Sequence, residues 1–78
     1  MSVRAKFKVD SIERSKHYGE GSEMQTIKMT PVYGNSEENK KFYAASPSGQ
    51  IHLGTINPEA AKQFELGKEY YVDFTPAG

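Results

Sequence analysis

Residues 57–76 read NPEAAKQFELGKEYYVDFTP, a capped helix followed at once by an amphipathic strand. Asn57 suits the N-cap, because its side-chain oxygen can accept from the free N–H groups of the first turn. Pro58 follows at the first helical position, where a missing N–H costs nothing. Glu59 places negative charge at the positive end of the helix dipole. Ala60, Ala61 and Phe64 share one narrow apolar face. Gly67 stands where a left-handed residue ends a helix, which predicts about two turns. Tyr70, Val72 and Phe74 then alternate with Tyr71, Asp73 and Thr75. The first three are expected to face a core, and Tyr71 to face solvent. Pro76 cannot donate to a ladder and closes the strand.

The rest of the chain supplies partners for that strand. Val3, Ala5, Phe7 and Val9 alternate with Arg4, Lys6, Lys8 and Asp10, giving a strand with one dry face. Ile12 is out of phase with them. A β-bulge near Asp10–Ser11 would return it to the dry face; the alternative is that the strand ends there. Ser15–Ser22, SKHYGEGS, reads as a hairpin loop. Gln25, Ile27 and Met29 then alternate with Thr26, Lys28 and Thr30 in a second, antiparallel strand. Pro31 marks an edge position or the end of that strand.

Tyr33-Gly34-Asn35 forms a turn, and Ser36 is an N-cap ahead of Glu37 and Glu38. Lys40 and Lys41 follow in the order that suits the dipole. Phe42, Tyr43 and Ala45 offer a short apolar patch on a helix of two turns. Ser46-Pro47-Ser48-Gly49 is a turn. Ile51 and Leu53 alternate with Gln50 and His52 in a third, short strand ending near Ile56. The fold class expected is α+β, in the order β-β-α-β-α-β. It is a small curled, mainly antiparallel β-sheet or partly open barrel with two short helices, built from residues 1–78 as a single domain. Closure into a barrel would remove the sheet edges.

Composition narrows the chemistry. The chain has no cysteine, so disulfides, thiolate nucleophiles and cysteine-based zinc sites are excluded. No apolar run approaches the roughly 20 residues that cross a bilayer, and the N-terminus lacks a signal-peptide pattern. A cytoplasmic location is the expectation. Ten basic and ten acidic residues give a net charge of zero, against the basic balance of a strongly electrostatic nucleic-acid binder. The charge is unevenly placed: residues 1–18 hold five basic and two acidic residues, a balance of +3.

Catalytic constellations are nearly absent. His17 and His52 have no metal-ligand spacing, so no metal site and no cofactor is expected. His52 on a polar strand face reads as a surface histidine. Glu37 and Glu38 are adjacent in a first turn and do not face each other, so they read as dipole partners and not as paired catalytic carboxylates. Gly19 and Gly21 lie in a hairpin loop, which is the wrong context for a phosphate cradle. No enzyme activity is expected.

A binding surface is better supported. Arg4, Lys6 and Lys8 project from the outer face of the first strand, Lys28 from the second and Tyr71 from the last. If those strands are neighbours, bases could stack on Tyr71 while the cations hold phosphates. Lysines on an exposed strand face also simply keep it soluble and blunt its edges. Tyr18, Tyr43 and Tyr71 are equally suited to anchoring a protein partner.

The segment SEENKKFYAASPSGQIHLGTINPEAAKQFELGKEYYVDFTP, with MTPVY before it, resembles small proteins encoded by tailed bacteriophages and prophages. The resemblance covers roughly the C-terminal half and brings no activity or site residue with it. It implies an accessory protein in an infected bacterium's cytoplasm, binding a host or phage component stoichiometrically. The function expected first is a non-catalytic module for a protein partner. The alternatives are an OB- or SH3-like binder of single-stranded nucleic acid, which rests on Arg4, Lys6, Lys8, Lys28 and Tyr71, and a nucleotide-sequestering anti-defence protein. Homo-oligomers are compatible with each.

Overall fold

The computed structural model of the protein describes residues 3–16, 23–34 and 36–78. Its elements are β1 (Val3–Lys16), β2 (Glu23–Pro31), α1 (Glu37–Tyr43), β3 (Ile51–Thr55), α2 (Pro58–Ala61) and β4 (Glu69–Phe74). The strands form one antiparallel sheet in the order β3-β2-β1-β4, curled into a half-barrel. Among the described residues the sheet does not close, so β3 and β4 are its edge strands. Helices of seven and four residues are too short to form a layer of their own.

β1 is the hub. Phe7 stands opposite Pro31 of β2 on one side and opposite Tyr70 of β4 on the other. Ala5, Phe7, Val9, Ile27 and Met29 form the buried core, and Ile12, Ile51, Phe64, Tyr70 and Val72 pack against it. The inward and outward phases expected for β1, β2 and β4 are the observed ones. At Asp10 the register shifts, so that Val9 faces Met29 while Ser11 faces Lys28. This bulge puts Ile12 opposite Ile27 and lets β1 run on to Lys16, opposite Glu23. Ser15 and Lys16 therefore belong to the strand and not to the loop read for them. The remainder of that loop, including His17 and Tyr18, lies outside the described residues, as does Asn35 of the turn.

Two expected core residues are corrected. Val3 and Phe74 are 46% and 50% exposed. They face the core side but pair with each other where β1 begins and β4 ends, and α1 leaves an open cleft beside Val3 instead of covering it.

α1 starts at Ser36, whose hydroxyl accepts from the Asn39 N–H at 3.3 Å. The helix lies beside β1 where β2 has ended, and it docks through a polar residue. Asn39 is 2% exposed, whereas Phe42 and Ala45 are exposed. The Lys6 N–H donates to Asn39 Oδ1 at 2.6 Å, and Asn39 Nδ2 donates to the Lys6 and Val32 carbonyls at 2.9 Å each. The Asn39 amide thus takes the place of a neighbouring strand's peptide group. Burying it is affordable because its polar atoms are paired.

α2 begins as read, with the Asn57 side chain accepting from the Glu59 N–H at 3.0 Å. It ends after one turn, and Gly67 is not its cap. The Tyr70 hydroxyl, swung back from β4, donates to the Gln63 carbonyl at 2.8 Å and accepts from the Glu65 N–H at 2.9 Å. Those backbone groups leave the helical ladder for the tyrosine. Gly67, at φ +84°, turns the chain into β4 and donates its N–H to the Val9 carbonyl at 2.9 Å. Its left-handed conformation is natural for glycine. Removing only the hydroxyl, in Tyr70→Phe, should cost about 1 kcal/mol and about 4–8 °C of Tm. A melt equal to wild type would show that water replaces both bonds.

Candidate functional site

The expected binding residues separate into two groups. β1 and β4 are neighbours, and on their outer face Arg4 stands opposite Asp73, Lys6 opposite Tyr71 and Lys8 opposite Glu69. Arg4 holds Asp73 through both carboxylate oxygens, at 2.7 and 3.1 Å. Its guanidinium lies 4.7 Å from the centre of the Tyr71 ring, and Lys6 Nζ lies 5.4 Å from it. Lys6 is also 4.0 Å from Glu38 of α1 and 4.0 Å from Glu69. Arg4, Lys6, Lys8 and Tyr71 therefore come together as expected.

Lys28 does not join them. It faces Ser11 of β1, five residues from Lys6 and so about 16 Å along the strand. There it stands opposite His52 and 3.6 Å from Glu13. Tyr43 is half-buried and meets Phe42 edge-on at 4.8 Å. Burial raises its hydroxyl above the usual tyrosine range. Its neighbour Phe42 takes the exposed position expected for Tyr43.

The electrostatics of the outer face are internally balanced. Arg4, Lys6 and Lys8 are matched by Glu38, Glu69 and Asp73 around one tyrosine. The hydrogen bonds from Arg4 hold the Asp73 carboxyl below its ordinary value, and those bonds raise Arg4 in turn. Glu38 is also lowered, first by its own backbone N–H and then by the Tyr71 hydroxyl, with Lys6 and Arg4 adding positive charge. Ordinary values are 3.8 for the aspartate and 4.5 for the glutamate. Folding favours the charged forms, so this contribution to stability is complete above those values. It is lost as pH falls through the lower folded ones. Tm should therefore fall as pH drops below the ordinary values of 4.5 and 3.8, and Arg4→Gln should flatten that fall. An acid profile unchanged by Arg4→Gln would refute the assigned cause.

Beside this charged strip lies an apolar one that the sequence did not announce. A cleft of about 260 Å³ between α1 and β1 is lined by Val3, Arg4, Glu38, Lys41 and Phe42. A second, of about 480 Å³, is lined by Val3, Asp73, Phe74, Thr75 and Pro76. Val3 is common to both. Phe42, at 46% exposure, stands on one side of it and Phe74 on the other. The spacing of Glu38 and Phe42, four apart on α1, was the available signal for this face.

Among the described residues no group of three or more His, Asp or Glu side chains could hold a metal ion, and no helix is long and apolar enough to cross a membrane. No protein-family model matches the chain, and neither the curated proteins nor the solved structures contain a significant match.

Proposed function

We propose that the chain is a non-catalytic, phage-type accessory protein that binds a protein partner stoichiometrically at the Val3–Phe42–Phe74 strip. The observation that supports this reading is the exposure of those three large apolar side chains around two adjoining clefts. Arg4, Glu38, Lys41 and Asp73 form a charged rim around them. An aromatic centre inside a polar rim is the anatomy of a protein interface. The partner segment is one that inserts an apolar side chain into the cleft beside Phe42. The charges of the outer strip cancel locally, which does not favour a phosphate backbone as the ligand.

The test is affinity capture from bacterial lysate, followed by titration of the purified partner. Phe42→Ser should weaken binding about 30-fold or more, as expected for an aromatic hot spot. Affinity should barely change between low and physiological salt. If a labelled single-stranded oligonucleotide binds instead, with affinity falling steeply as salt is added, the protein-partner reading is wrong and the nucleic-acid one replaces it.

A further inference from the structure

We infer that the chain pairs with a second copy of itself along the free edge of β4, giving a continuous eight-stranded sheet. The first support is the phase of the ladder. The Val9 N–H donates to the Lys68 carbonyl at 3.0 Å, in register with Lys8 opposite Glu69. Hydrogen-bonded pairs alternate along an antiparallel ladder. Tyr70, Val72 and Phe74 therefore direct their peptide groups at β1, while Glu69, Tyr71 and Asp73 direct theirs away from it. The same phase sends the Lys6 peptide groups to the opposite side of β1, where Asn39 and Val32 bind them. β4 is the last strand of the sheet, so three N–H and three C=O groups form an edge with no partner among the described residues.

The sequence of β4 selects a two-fold register. A two-fold axis normal to the sheet pairs residues whose numbers have a constant, even sum. Centring it on Tyr71 sets Glu69 against Asp73, and centring it on Asp73 sets that carboxylate against itself. Centring on Tyr70 opposes Lys68 to Val72. Centring on Val72 opposes Tyr70 to Phe74, Val72 to its copy and Tyr71 to Asp73. Apolar then meets apolar on the inner face, and like charges stay apart on the outer one. Tyr71 and Asp73 exchange backbone hydrogen bonds with their counterparts. Pro76 stops the pairing just beyond Phe74.

Surface area supports the same occupant. A compact chain of 8.7 kDa exposes about 4,700 Å², whereas this one exposes 5886 Å². Its radius of gyration is 14.5 Å, against about 11.5 Å for a compact chain of this length. The excess of roughly 1,200 Å² exceeds the ~800 Å² that each partner contributes to a standard interface. Part of it lies at Phe74, on the core side but half exposed. The pairing draws Phe74 of the proposed strip into the interface and leaves the Phe42 cleft open to a heterologous partner; it rests on the backbone edge of β4 and not on that partner.

Sedimentation equilibrium of the full chain should give twice 8.7 kDa at micromolar concentration. The chain lacks cysteine, so Val72→Cys adds a single thiol at the two-fold axis. Its Cα should sit about 4.5 Å from its copy, within disulfide reach. Mild oxidation should convert Val72→Cys to a covalent dimer and leave Thr75→Cys without a cross-link. In wild type, the Tyr71 and Asp73 amides should exchange as slowly as those of Tyr70 and Val72, a readout that needs no variant. A monomer mass with fast exchange at Tyr71 and Asp73 overturns the proposal and leaves the edge to an extended segment of another protein. Cross-linking at position 75 and not at 72 also overturns it.

Discussion

Asn39→Leu should destabilise the protein by about 2–4 kcal/mol, or roughly 10–25 °C in Tm for a domain of this size. The substitution keeps the volume but removes the acceptor of the Lys6 N–H and the donor to the Val32 carbonyl. Both are main-chain groups where β1 and the chain just past β2 are still joined by the Val32 N–H donating to the Lys6 carbonyl at 3.0 Å, and Asn39 bridges the other half of that pair. Leaving each unpaired costs about 1–3 kcal/mol. Asn39→Asp separates the two halves of the clip. The introduced carboxylate still accepts from Lys6 but faces two carbonyl oxygens it cannot donate to. That environment raises its pKa, so folding favours the protonated form. This variant should be weak at pH 7 and recover as pH falls, the reverse of the acid loss expected in wild type. Thermal melts at pH 7 and pH 4 decide the matter. A wild-type melt for Asn39→Leu would mean that α1 docks through contacts other than this amide.

Phe7→Ala should cost about 3–5 kcal/mol. A 78-residue chain has roughly 4–12 kcal/mol in total at the usual stability per residue, so this variant should sit near the edge of unfolding at 37 °C. The reason is position as well as size. Phe7 is 5% exposed and stands opposite Pro31 of β2 and Tyr70 of β4, the two strands that flank β1 among the described residues. With no opposing sheet, neighbouring side chains have few ways to collapse into the space it leaves. Urea titration should show a lower midpoint with an unchanged m-value, and Phe7→Leu should retain most of the lost stability. A cost below about 1 kcal/mol for Phe7→Ala would place the core elsewhere.

The alternation of Val3 to Val9, Gln25 to Met29 and Tyr70 to Phe74 was enough to assign faces, because side-chain direction in a strand depends only on parity. The bulge at Asp10 was one of two readings of the out-of-phase Ile12, and the ladder that continues to Lys16 decides for it against the end of the strand. Both N-caps, Ser36 and Asn57, were legible because capping is a contact within three residues. The neighbourhood of Arg4, Lys6 and Tyr71 was only conditional in the sequence, since it required β1 and β4 to pair across some 60 intervening residues.

Tertiary structure decided the rest. Where α2 stops depends on a hydroxyl from Tyr70, which no local pattern in 58–66 records. Asn39 gave only a faint hint, a poor helix former inside a helix, because its partners lie 33 and 7 residues away. Val3, Phe42 and Phe74 carry the residue types of a core and became surface because the sheet stays open at that corner. Periodicity fixes which way a side chain points; whether another layer lies there to cover it depends on how the whole chain is arranged.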